Sequence, residues 1–285
     1  KKNLQIINGP IKENFVIKNG TPKIISRFDR NVFSLLSGGA AKNNYWHWMF
    51  DVLPRIKILS KVTDIREIDN FLFPNLKKKY QKESLDLLNI PTEKRISSIK
   101  ERHLECDQLF VTSHPYVIKN DASQEIQNMP LWIINWLRES FIQNLSYLNK
   151  DNFPKKIYID RSDATSNQSS MRKLINENEI QSKLKDSGFT SVKLSHLSLE
   201  NQIKTFQNAD TVIGLHGGGF ANIIFCQPNT KIIELKSVSA GDVISNLAKK
   251  CNLKYDTISK VPEELNQNNQ LGFIRVETNE LLKKI

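Results

Sequence analysis

Long apolar runs are missing from this sequence. Stretches such as Leu131–Ile134 and Ile223–Cys226 break off far short of the roughly 18 to 20 residues a bilayer span needs. The first residues carry no signal-peptide apolar segment, so a soluble chain is expected. Cysteine is scarce: Cys106, Cys226 and Cys251 are an odd number without C-x-x-C spacing. That excludes a disulfide framework and a zinc knuckle and points to a reducing compartment. Negative charge is in short supply. Against 41 Lys and Arg stand 30 Asp and Glu, a net +11, which favours anionic partners. The lysines nevertheless fall singly or in short clusters, Lys77–Lys79 and Lys249–Lys250, that read as solvated faces. RNP-type aromatic motifs, zinc-finger spacing and a dense arginine patch are absent, against a nucleic-acid-binding protein.

Several catalytic signatures are absent too. There is no G-K-[ST] to complete a Walker A loop, and a G-x-G-x-x-G reading of Gly217 and Gly219 fails at Asn222. H-G-G-G at 216–219 matches the oxyanion-hole motif of esterases, but no G-x-S-x-G exists and no histidine follows His216, which excludes that hydrolase type. No D-x-D metal motif occurs, and the E-I-D at 67–69 has no strand-end context.

What is present is an alternation. With 285 residues and 39% hydrophobic composition, the chain can bury an ordinary core. In its second half, K-I-Y-I-D (156–160), S-V-K-L-S (191–195), T-V-I-G-L (211–215), K-I-I-E-L (231–235) and K-Y-D-T-I (254–258) read as strands. Helical spacing separates them at 172–185, from Ser198 onward, and at 243–250, with a short helix after the glycine cluster. Such alternation implies parallel βαβ units with right-handed crossovers. The first half offers strands at 15–18, 23–26, 32–36, 71–73 and 108–112, and helices near 44–59, 77–89 and 130–148. Two α/β domains joined near 125–150 follow: 1–130, 131–258, then a tail over 259–285 ending in a closing helix.

Two stretches carry chemistry. G-L-H-G-G-G-F-A-N (214–222) places glycines where a buried strand turns into a helix, so backbone N–H groups and the helix terminus can meet an anion. The alternative is a tight turn that merely needs small residues. In N-Y-W-H-W-M-F-D-V-L-P-R (44–55), helical spacing puts Tyr45, Trp48, Met49, Val52, Leu53 and Ile56 on one stripe and Asn44, His47, Asp51 and Arg55 on another. His47 and Asp51 are i,i+4 neighbours suited to general-base work, or an incidental ion pair. Trp46 offers a ring for a sugar or base to stack on. Pro54 is expected to kink or end the helix. Arg161 follows a strand at the carboxyl edge, where open α/β sheets bind ligands. Arg172 is expected to open the next helix, both arginines clamping a diphosphate at the glycine loop. Glu234 is a candidate acceptor for ribose hydroxyls.

These segments, with Y-I-D-R-S-D-A, R-K-L-I-N-E-N-E-I and L-S-L-E-N-Q-I-K-T-F-Q-N-A-D, together resemble the glycosyltransferase family 61 domain over roughly residues 30 to 240. The resemblance implies a GT-B fold, two Rossmann-like domains facing across a cleft, with a nucleotide-sugar donor, expected to be a UDP-sugar, on the C-terminal one. It implies inverting, metal-independent transfer with no cofactor, to a glycan or lipid-linked glycan acceptor in capsular or surface polysaccharide synthesis. Donor contacts are expected from Arg161, Arg172, His216, Gly217, Gly218, Gly219, Asn222 and Glu234. Acceptor-side contacts are expected from Asn44, Trp46 and Arg55. Either Asp51 or His47 is the base. The family loop carries Ala where this chain has Gly218. The implied place is the cytoplasm, with peripheral contact at the inner membrane face. The rival readings are a GT-B-type sugar-nucleotide epimerase or hydrolase and a basic nucleic-acid-binding protein.

Overall fold

The computed structural model describes residues 20, 23–36, 44–116, 126–145, 153–162, 172–263 and 272–285. The strand expected at 15–18 lies outside them. Two parallel sheets dominate. The first is built from β1 (Ser26–Ser34), β2 (Asn70–Phe73), β3 (Arg95–Ser97) and β4 (Leu104–Val111) in the order β3-β2-β1-β4. The two strands expected at 23–26 and 32–36 are one, β1, whose pairing with β4 shifts register between Phe28 and Asn31.

The second sheet holds β5 (Lys156–Asp160), β7 (Thr190–Lys193), β8 (Thr211–Leu215), β9 (Lys231–Ser237) and β10 (Lys254–Lys260), ordered β10-β9-β8-β5-β7, all parallel. Counted along the chain, that order is the doubly wound 2-1-3-4-5, with its topological switch between β5 and β8. The first sheet switches between β1 and β4. The central strands of the second sheet, β5, β8 and β9, are covered on both faces, as buried parallel strands require. Alternate residues go to opposite cores: Ile157, Ile159, Val212 and Ile232 join one cluster, Tyr158, Ile213, Ile233 and Leu235 the other. The first cluster continues through Trp48, Phe50 and Phe73 into the N-terminal half, so one core ties the two sheets together.

Two expectations about local structure change. Arg172 does not open a helix: it begins the short strand β6 (Arg172–Leu174), and the helix starts only at Glu177. The cause is a partner distant in sequence, β11 (Gly272–Ile274), which pairs with β6 in parallel. The tail therefore folds back onto the C-terminal half and ends in a helix, Thr278–Leu282, where Lys284 meets Asp256 at 2.6 Å. Pro54 acts as expected, by a specific device. The helix begins as Tyr45–His47 (α1), widens into a π-helical turn over Trp48–Val52, and restarts as α2 (Pro54–Leu59). Leu53 N donates five residues back to Trp48 O at 3.1 Å. Pro54 then sits in the first turn, where its missing N–H has no partner to lose. No described helix is long and apolar enough to cross a membrane.

Candidate functional site

A cavity of about 500 Å³ opens at the carboxyl edge of the second sheet, within the size range of small-molecule sites. Its floor is the switch point: Asp160 and Arg161 leave β5 there, and Leu215 and the glycine loop leave β8. The loop starts extended at Gly217 and winds into a 3-10 helix, Gly218–Phe225, whose residues from Phe220 onward are buried. Close approach explains two of the glycines. A Cβ on Gly217 would lie 2.7 Å from Arg161 Nη1, and one on Gly219 would lie 2.8 Å from Leu194 Cδ1. Gly218 has room, since its nearest neighbour would be Asn44 Oδ1 at 3.7 Å.

Both arginines converge on this loop. Arg161 Nη1 donates to His216 O at 2.5 Å and Arg172 Nη1 to the same carbonyl at 3.4 Å. Burial and the neighbouring Arg161 lower the Arg172 pKa to about 10, with Glu234 opposing, so Arg172 stays charged at neutral pH. The facing wall comes from the N-terminal half: Asn44, Tyr45, Lys77, Lys78, Lys79 and Tyr80. Lys77 and Lys79 are exposed, as expected, but the turn after β2 carries the cluster to the mouth of the cleft. The two halves meet through side chains as well. Tyr45 OH donates to Asn222 Oδ1 at 2.6 Å, and Glu83 accepts from Leu199 N at 2.8 Å.

Several expected donor contacts sit beneath the cavity instead. Asn222 is fully buried, holding Tyr45 on one side and donating to Gln202 Oε1 at 3.1 Å on the other. Glu234 is also fully buried, bonded to His216 Nδ1 and to Tyr255 OH. Its place opposite Gly214 in the β8–β9 register keeps it inside the sheet, where its carboxylate is taken up by His216 and Tyr255 and does not line the cavity. The His216 imidazole is buried with it, and what His216 offers the site is the carbonyl that anchors both arginines.

A second polar cluster lies at the switch point of the first sheet. Asp51, on the π-turn, pairs with His47 Nδ1 at 2.6 Å, accepts from Tyr116 OH at 2.6 Å, and has His114 Nε2 at 3.7 Å. Burial alone would raise the Asp51 pKa. Bonds from His114, His47 and Tyr116, with the charge of His47, outweigh it and hold the carboxyl down to about 2. The Asp51 side chain is 12% exposed and that of His47 35%, so the imidazole is the part a ligand can reach. Asn44, which lines the cavity, and His47 are three residues apart on one helical face. For His114, burial works against protonation, but Asp51 and the Tyr116 carbonyl raise its pKa. Arg55, expected on the acceptor side, has internal partners. It is buried, donating to Leu36 O (2.7 Å), Thr112 Oγ1 (3.0 Å) and Thr112 O (3.0 Å), and so ties together the chain segments that leave β1 and β4. Trp46 stays half-buried with its ring against Phe50, centroids 4.8 Å apart.

His114, Tyr116 and the lysine cluster escape the sequence reading. A signal existed for His114, which follows a recognisable strand at its carboxyl edge just as Arg161 does.

Fold and cleft define a class: a doubly wound α/β protein with a basic crevice at the switch point, where such sheets hold their ligands. The chain belongs to the glycosyltransferase 61 family, whose sequence model matches residues 45–233. That span takes in His47, Asp51, Arg161, Arg172 and the glycine loop; Asn44 and Glu234 fall just outside its ends. A 45-residue stretch is 42% identical to a beta-1,2-xylosyltransferase of Arabidopsis thaliana, covering 16% of this chain and 8% of that protein.

Proposed function

We propose that the protein is an inverting glycosyltransferase of GT-B type, moving a sugar from a nucleoside diphosphate donor, a UDP-sugar in the first instance, to a glycan acceptor. The observation that carries this reading is the convergence of Arg161, Arg172 and the Gly217–Gly219 loop on one cavity at the sheet's switch point. Residues 131–258 would supply the donor half and 1–130 the acceptor half.

The chemistry follows from the two clusters. His47, oriented by Asp51, takes the proton of an acceptor hydroxyl as its oxygen attacks the anomeric carbon from the face opposite the diphosphate. Asp51, with its pKa held to about 2, is too weak a base for that step and suits the orienting role. As the anomeric C–O bond breaks, its electron pair passes to the diphosphate, whose growing charge meets the arginines and the loop N–H groups. These cations take the part a divalent metal plays elsewhere, so the proposed transfer is metal-independent. The acceptor is proposed to be a growing surface polysaccharide on a lipid carrier at a cytoplasmic membrane face. The net charge of +11 supports contact with anionic head groups.

The test is acceptor-dependent release of nucleoside diphosphate from a panel of sugar nucleotides in the presence of EDTA, with the product anomer read by NMR. His47→Ala is expected to abolish release while leaving nucleotide binding intact. Retention of the donor's anomeric configuration, or full activity of His47→Ala, would sink the mechanism.

A further inference from the structure

The cavity is charged asymmetrically. Among the described residues, five cationic side chains line it, Lys77, Lys78, Lys79, Arg161 and Arg172, against one carboxylate, Asp160. Asp160 is already committed: its Oδ1 accepts from Ser162 N at 2.8 Å, and Lys193 lies 4.0 Å from its Oδ2. Three of the five cations come from the N-terminal half and two from the C-terminal half. Among the described residues Lys79 lies 3.7 Å from Glu83, while Lys77 and Lys78 have no acidic partner. Like charges gathered around a cavity repel one another, and an anion between them removes that repulsion.

The lysine turn is held in place. Asn75, buried at the end of β2, accepts from Lys77 N at 3.3 Å, and Lys78 N donates to Gln81 Oε1 at 2.9 Å. The helix that follows, Lys79–Leu87, is fastened to the C-terminal half where Glu83 accepts from Leu199 N. The lysine turn is therefore fixed on the cavity that the arginines also line. Beside them, the Tyr80 hydroxyl is buried without a hydrogen-bond partner among the described residues.

We infer that Lys77 and Lys78 form the second half of the diphosphate site, and that this wall selects nucleoside diphosphate over nucleoside monophosphate donors. The inference rests on the proposed donor cleft and deepens it. Arg161, Arg172 and the glycine loop hold one phosphate; the lysines close on the other from across the cleft. A monophosphate held by the arginines leaves the lysines without a counter-charge. The second phosphate is where their contribution falls.

Calorimetric titration of the whole chain with UDP, UMP and inorganic pyrophosphate tests this, comparing wild type with the double variant Lys77→Gln/Lys78→Gln. The expected result is a loss of about tenfold or more for UDP and pyrophosphate, a change under about threefold for UMP, and a shallower salt dependence for UDP. The charge-keeping variant Lys77→Arg/Lys78→Arg is expected to bind UDP within a few-fold of wild type. UDP and pyrophosphate affinities unchanged in the Gln variant overturn the inference and leave the donor cleft standing, as does a folded Arg variant as weak as the Gln one. A wild type that binds neither UDP nor pyrophosphate sinks the donor cleft, and this inference with it. Thermal melting of each variant confirms that it is folded.

Discussion

Alanine placed at each glycine of the loop in turn should separate three effects that the run G-G-G conceals. At Gly218 the new methyl would meet nothing closer than 3.7 Å, and the backbone is outside the left-handed region. Gly218→Ala is therefore expected to be neutral or to stabilise by about 0.4–1 kcal/mol, through the lower entropy of the unfolded chain. UDP affinity should stay within about threefold. At Gly217 the methyl would lie 2.7 Å from Arg161 Nη1 and 3.1 Å from its Cζ. The guanidinium can swing away, but only by leaving His216 O, and a hydrogen bond from a charged group is worth about 1.5–3 kcal/mol. Gly217→Ala should cost about 1–2 kcal/mol in urea melts and weaken UDP binding about ten- to hundredfold, because the displaced group is the proposed phosphate ligand. Gly219→Ala meets a Leu194 methyl at 2.8 Å, which a rotamer change relieves, so its effect should lie between the two. Gly218→Ala as harmful as Gly217→Ala, or Gly217→Ala binding UDP like wild type, would refute the reasoning.

Other consequences follow from the same geometry. Arg55→Ala should lower stability by about 3 kcal/mol in urea melts, since it strands the Leu36 and Thr112 carbonyls; unchanged stability with a raised acceptor KM would restore Arg55 to the acceptor site. The Asp51 carboxyl, folded at about 2 against an ordinary 3.8, should contribute about 2 kcal/mol that is fully present above pH 5 and lost as pH falls toward 2. Asp51→Asn should flatten that acid limb of the stability profile, and an unchanged limb would discount the cluster. His114, raised by Asp51, works in the opposite sense: its contribution is complete below its unfolded pKa near 6.5 and fades as pH rises through the folded value. Glu234→Gln should destabilise the fold by about 2 kcal/mol through the lost His216 and Tyr255 bonds, again read by urea.

The parts legible in the sequence share one property: their cause is local. K-I-Y-I-D and T-V-I-G-L are strands over the residues expected, because short apolar runs between turn signals have few other solutions. The helix expected from Ser198 onward starts there, with Ser198 as its cap accepting from Asn201 N at 3.1 Å. The strand at Arg172 is not legible locally, because its partner in the sheet lies 100 residues further on. Glu234 looked like a polar strand end reaching for ligand. Only the adjacent strand, with His216 just beyond it, shows that the carboxylate has an internal partner. That Lys77–Lys79 line the cleft is not legible, because nothing in a lysine triplet says what it faces; the packing of the following helix on the opposite half supplies that. The His47–Asp51 pair is visible from its spacing, whereas its other partners, His114 and Tyr116, arrive on the segment that leaves β4, more than 60 residues away.

The central claim is that the cleft holds a nucleoside diphosphate without help from a metal. Calorimetric titration with UDP, GDP, CMP and ADP, with and without EDTA, on wild type and Arg161→Ala tests it most directly. A nucleoside diphosphate should bind equally well with the chelator, CMP should bind more weakly, and Arg161→Ala should lose the binding. Absence of binding by every nucleotide, or binding that EDTA abolishes or Arg161→Ala leaves untouched, would contradict it.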